Sequence, residues 1–289
     1  MAGGLTTLIR AAAGSLPFVR RGQSLPDRTV TVDAVTIDRD NVAAYAAVTG
    51  LRYGANVPLT YPFVLTFPPV MELVTGFDFP FAALGAVHVE NTITQHRPIA
   101  VTDTVSVRVR VDNLREHRKG LLVDVISEVC VGSEPAWDQV TTFLHLQRTS
   151  LSGEPAPEQP PREKLPAPNA VLRITAKQIR RYSSIGADHN PIHTSALAAK
   201  LFGFPTPIAH GMFTAAAVLV NIEGQLPAAL TYTVRFGKPV LLPATVGVYT
   251  ERVDDGWNIC LRDMAKGYPH LTSTVRPLGN AASGWPTRP

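Results

Sequence analysis

Beyond residue 230 apolar and polar side chains alternate in short blocks. This two-residue period over Thr231–Phe236, Thr245–Val253, Trp257–Asp263 and Leu271–Val275 predicts four strands, each with one buried face. Upstream the period changes. Ile208, Met212, Ala215, Ala216, Leu219 and Ile222 recur at helical spacing and predict a core helix over 208–223, with Gly224 as its stop. Arg173 to Ser184 reads as the end of a strand running into another helix.

The first half repeats this order. The stretch HRPIAVTDTVSVRV (96–109) lies in register with GKPVLLPATVGVYT (237–250), matching Pro98 to Pro239 and Val105 to Val246. Met71 falls opposite Met212 at the same offset, and Tyr45 opposite Tyr182 at a slightly smaller one. A duplication explains this economically. Each copy reads as an α+β unit, a long apolar helix packed on an antiparallel sheet. Between the copies GEPAPEQPPREKLPAP (153–168) carries six prolines and five charged residues, the mark of a stiff solvated linker.

Composition narrows the class. The chain has 289 residues, 45% hydrophobic and 17% charged, which describes a globular protein. Its net charge of +4 is spread along the chain without a basic block, so phosphorylated small molecules fit better than nucleic acid. Cys130 and Cys260 fit no zinc or redox spacing; as two buried thiols they suit a reducing, cytoplasmic compartment. Arg10 interrupts the N-terminal apolar stretch, which predicts a short surface helix over 4–13 and no signal peptide. No segment has the length of a membrane span.

One segment breaks the repeat. Tyr182-Ser-Ser-Ile-Gly-Ala-Asp-His-Asn-Pro-Ile-His193 holds a carboxylate, an amide and imidazoles around a proline. Pro191 removes a backbone donor and pushes Asn190 out of helical geometry, so a rigid loop is expected. Counted from the paired tyrosines, Asp188 faces Leu51, Asn190 faces Tyr53 and His193 faces Asn56. The fold is repeated and the polar loop is not, which points to one active site per chain.

With Ile208-Ala-His-Gly-Met212 downstream, this stretch resembles the hydratase motif of the MaoC-like (R)-specific enoyl-thioester hydratases, and the whole layout resembles double-hotdog (3R)-hydroxyacyl-thioester dehydratases. The resemblance implies a first hotdog without a catalytic loop (1–152), the linker, a catalytic hotdog (169–280) and a tail (281–289). It implies reversible hydration of trans-2-enoyl thioesters, carried on coenzyme A or an acyl carrier protein, in fatty-acid metabolism. No cofactor is implied, and the chain is expected as a monomeric pseudo-dimer or a homodimer. Asp188 and His193 would share a water as acid and base, Asn190 would orient them, and Gly211 at a helix start would offer an N–H to a developing oxyanion. Where the family has Ser/Thr-Gly before the aspartate, this chain has Gly186-Ala187; a positive φ there would strain Ala187.

Competing readings rest on the same residues. A hotdog thioesterase would want a carboxylate on or near the central helix. A silent acyl-binding protein would be expected to have lost the loop, as residues 45–56 have. A metal site from His189, His193 and His210 is disfavoured, because Pro191 denies the first two a shared helix face. His210 is read as a helix-start residue, Tyr182 as core, and Arg180 and Arg181 as a solvated face. Finally, the first-half counterpart of the 208–223 helix is expected to start at Pro68-Pro69 and last about two turns. It would leave an apolar groove lined by Val64, Leu65, Phe67, Phe77, Phe79 and Phe81 for a long acyl chain, unless these phenylalanines simply fill the space.

Overall fold

The computed structural model describes residues 22, 24–82, 86–155 and 166–279. The stretch 4–13, most of the Pro-rich linker and the tail 281–289 lie outside them. The first half runs β1 (Val30–Thr36), α1 (Arg39–Thr49), α2 (Pro62–Val74), β2 (Val87–Gln95), β3 (Thr104–His117), β4 (Gly120–Val131) and β5 (Glu134–Leu146). The second runs β6 (Ala170–Ile174), α3 (Ala176–Gly186), α4 (Pro191–Thr194), α5 (Ala196–Leu201), α6 (Gly211–Ala217), β7 (Leu230–Phe236), β8 (Ala244–Val253), β9 (Gly256–Asp263) and β10 (Pro269–Pro277). The four strands expected beyond residue 230 are β7 to β10.

All ten strands join one antiparallel sheet in the order β1-β3-β4-β5-β2-β7-β10-β9-β8-β6. The order reads the same from both ends once β1 is matched to β6, β3 to β8, β4 to β9, β5 to β10 and β2 to β7. At the centre Thr92 pairs with Thr233, with their hydroxyls 3.4 Å apart. These two threonines are also the positions matched by the repeat, so a pseudo-twofold axis passes between them. The architecture is a double hotdog. Alternation builds it: along β3, Val105, Val107, Val109 and Val111 turn inward onto the helices while their neighbours face outward.

The helices depart from expectation in both halves. The α6 helix spans seven residues, not the whole of 208–223. The Tyr232 hydroxyl donates to the Ala215 carbonyl at 2.7 Å, occupying the acceptor that the Leu219 N–H would use in a continuing α-helix. Leu219 N–H turns to the Ala216 carbonyl and Ile222 N–H to that of Leu219, so the chain tightens into three-residue steps. The apolar face stays buried throughout.

The first-half helix is the longer one, at 13 residues, and it carries Pro68 and Pro69 inside it. Thr66, Pro69, Val70, Leu73 and Val74 are buried along it, while Pro68 is exposed; packing of the inner face overrides the low helix propensity. The two-turn helix on which the expected groove depended is therefore not the one that forms. Phe79 and Phe81 are buried, Phe77 is exposed, and Val64, Leu65 and Phe67 are half-buried.

The match of Met71 to Met212 also fails. Val57 N–H bonds the Ile99 carbonyl and Ala209 N–H bonds that of Val240, making Val57 and Ala209 equivalent. His210 thus corresponds to Pro58, and the longer first-half helix absorbs extra residues. Cys130 and Cys260 are free and only partly buried, on β4 and β9. No helix of the described residues is long and apolar enough to cross a membrane.

Candidate active site

The polar loop starts where α3 ends. Thr175 caps the start of α3, its hydroxyl accepting the Gln178 N–H at 3.2 Å. At the other end Ala187 sits in the left-handed region, with φ 55°. Gly50 closes α1 in the same way, at φ 86°. The strain expected at Ala187 is present, and amounts to roughly 1–2 kcal/mol for a residue with a Cβ.

Beyond Ala187 the chain folds back onto itself. The Asp188 Oδ1 accepts the Asn190 N–H at 3.2 Å, and the Asn190 Oδ1 accepts the Ile192 N–H at 3.3 Å. Asn190 is extended at ψ 120° and acts as the N-cap of α4, with Pro191 in the first turn, where its missing donor costs nothing. The segment is thus a tight turn feeding a single helical turn, not the wholly non-helical loop expected around Pro191. His193 lies on α4, buried, and its Nδ1 donates to the Ile208 carbonyl at 2.9 Å. A carbonyl can only accept, so the neutral ring carries its proton on Nδ1 and leaves the Nε2 lone pair free.

His210, read from the sequence as a helix start, is the N-cap of α6 and also a member of the site. Its ring stacks on that of His193, with centroids 3.7 Å apart. Its Nε2 lies 3.3 Å from the Asp188 carbonyl oxygen and 3.7 Å from Asp188 Oδ2. The Asp188 carbonyl also accepts from the Ser183 hydroxyl. Burial pushes His210 down to about 3, with His193 adding to the effect, so this ring is neutral at working pH. Burial also lowers His193, opposed by the charge of Asp188 and by the Ile208 carbonyl.

One oxygen or nitrogen from each of Asp188, His193 and His210 lies within 4.8 Å of the others. A carboxylate and two neutral imidazoles at that spacing could relay a proton or ligate a cation. His189, the remaining histidine of the disfavoured metal trio, is exposed, with its Nδ1 3.4 Å from the Ser183 hydroxyl. Tyr182 is buried against Tyr45, His210 and Phe213.

Gly211 opens α6, and His210 gives its N-terminus no side-chain cap, so its first N–H groups lack a helical partner. A Cβ at position 211 would stand 3.1 Å from the Phe236 ring. The missing side chain thus makes room for Phe236 of β7.

Similarity to known proteins agrees with the geometry. A family model described as MaoC like domain matches residues 154–273, and one described as FAS1-like, dehydratase domain region, matches 33–132. The chain is 70% identical over 275 residues to 3-hydroxyacyl-thioester dehydratase X of Mycobacterium tuberculosis, covering 95% of this chain and 98% of that protein. A crystal structure of that protein, HtdX, superposes with a TM-score of 0.79 over 86% of this chain and all of the other, at 70% identity. A MaoC-like dehydratase from Phytophthora capsici shares the fold at TM-score 0.70 with 18% identity, over 92% of this chain and 99% of that one. With two imidazoles and a carboxylate gathered in the half matched by the MaoC model, and a full-length relative of this identity, the chain belongs to the MaoC-like dehydratases.

Proposed function

We propose that the protein interconverts trans-2-enoyl and (3R)-3-hydroxyacyl thioesters by reversible hydration, with Asp188 and His193 as its acid–base pair. The observation that carries this is the fixed tautomer of His193: the Ile208 carbonyl holds the Nδ1 proton, so Nε2 is the base. In the hydration direction Nε2 takes a proton from water as the water oxygen bonds carbon 3. Asp188 holds the remaining water hydrogen. The negative charge that develops on the thioester oxygen is met by the Gly211 N–H, and the pair returns a proton to carbon 2. Asn190 orients the turn that holds both groups. His210, neutral and packed on His193, keeps the Asp188 backbone in place.

The same chemistry accommodates thioesters of coenzyme A or of an acyl carrier protein. The test is the ultraviolet band of a conjugated enoyl-thioester mixed with pure protein. Loss of the band without release of thiol is the expected result; release of thiol would make the protein a thioesterase, and an unchanged band would make it a binding protein.

A further inference from the structure

The two halves hold each other's helix ends by a reciprocal pair of amide bonds. Asn41 of α1 donates through Nδ2 to the Ile185 carbonyl, in the last turn of α3, at 3.2 Å. Gln178 of α3 donates through Nε2 to the Val48 carbonyl, in the last turn of α1, at 2.9 Å. Asn41 and Gln178 are both the third residue of their helix, with their own N–H groups held by the N-caps Asp38 and Thr175. By the register that matches Tyr45 to Tyr182, Asn41 is the repeat partner of Gln178 and Val48 that of Ile185. Each amide thus satisfies a carbonyl that its partner helix leaves without an internal donor.

The two bonds are alike as structure but sit ahead of different segments. Beyond Val48 the chain enters Gly50 and Leu51 of the half without a polar loop. Beyond Ile185 it enters Gly186, Ala187 and Asp188. Asn41 is further fixed by the Tyr61 hydroxyl, which donates to its Oδ1 at 3.1 Å and settles which end of the amide faces Ile185. Among the described residues no hydroxyl does this for Gln178.

We infer that Asn41, supplied by the half without catalytic groups, is a positioning residue for the reaction. It anchors the last turn of α3 so that the strained turn at Ala187 delivers Asp188 to His193. This rests on the assignment of Asp188 and His193 as the acid–base pair.

The symmetry supplies its own control. Asn41→Ala and the isosteric Asn41→Asp, which keeps the shape and removes the donor, are expected to lower kcat about tenfold, because small displacements of reacting groups are costly. KM should stay within about twofold in both. Gln178→Ala and Gln178→Glu should lower Tm comparably and leave kcat within about twofold. Tyr61→Phe should give a smaller fall in kcat than Asn41→Ala.

Equal kcat losses in the Asn41 and Gln178 variants would reduce both bonds to general support and overturn the inference, as would unchanged kcat in Asn41→Asp. Asp188→Asn measured alongside keeps the two readings apart. Full activity there overturns the assignment of the loop itself, whereas lost activity with matched Asn41 and Gln178 variants overturns the anchoring role alone.

Discussion

Residues 50–53 and 187–190 occupy equivalent places just beyond α1 and α3, and both begin with a residue in the left-handed region. In the first half that residue is Gly50, and Leu51 and Tyr53 come after it. In the second it is Ala187, succeeded by Asp188, Asn190 and His193. Backbone entry is shared and side-chain chemistry is not. At this closing position the strain falls in the second half, since Ala187 holds a conformation that Gly50 adopts freely; elsewhere the first half has its own left-handed residues, Ala34 and Asn113. The half without it carries the longer central helix and lends Asn41 and Tyr61 to the site. On the proposed assignment, duplication separated two tasks, one copy keeping the reacting groups and the other becoming their support.

The comparison can be broken most severely at the proposed acid–base pair. Asp188→Asn and His193→Ala are each expected to reduce turnover at least about a hundredfold with the fold intact, which circular dichroism and the rate of enoyl-thioester hydration would check together. Near-normal rates in either variant would leave the two loops functionally alike.

Acid should act next, through two histidine rings, His210 buried and His88 on β2 partly so. His88 and His210 are both pushed down to about 3 by burial, against an ordinary value near 6.5. Between those limits the unfolded chain binds protons that the folded chain refuses. Their contribution is therefore complete above about pH 6.5 and declines as pH falls toward 3. Denaturant midpoints across that window should fall with pH, and His210→Gln should flatten the decline.

Milder contrasts sharpen the picture. Asn190→Ala should slow turnover several-fold, less than loss of either reacting group, while Tyr53→Ala at the equivalent exposed place should leave it unchanged; steady-state rates decide this. Smallest are the two closing residues. Gly50→Ala should destabilise by about 1 kcal/mol, whereas Ala187→Gly should stabilise by roughly 0.5 kcal/mol once the added freedom of the unfolded chain is counted, both read from urea midpoints.

Strands, repeat and polar loop were legible because each is written in local pattern: alternation along β7 to β10, the matched prolines, and Asp188 to His193 without a first-half echo. Helix lengths were not. The end of α6 is set by the Tyr232 hydroxyl, which arrives from a strand, and the persistence of α2 through Pro68 and Pro69 is set by what its inner face covers. His210 stood inside the Ile208-Ala-His-Gly-Met212 motif, yet its packing on His193 depends on the approach of α6 to α4. Asn41 carries no local signal. Its role becomes visible only when α1 and α3 lie side by side, since no spacing along the chain relates Asn41 to Ile185.

The central β2–β7 ladder has a further consequence, for the way the chain is made. Because the sheet is continuous, its edge strands among the described residues are β1 and β6. Separating the halves would create two new edges, β2 with Glu90 to Gln95 and β7 with Leu230 to Arg235, each a row of unpaired amides, the second beside apolar Leu230, Tyr232 and Val234. During synthesis the first half emerges with β2 in that state and must wait for β7. Either half made alone is expected to aggregate, and the two made together as separate chains to assemble along that ladder into a soluble complex.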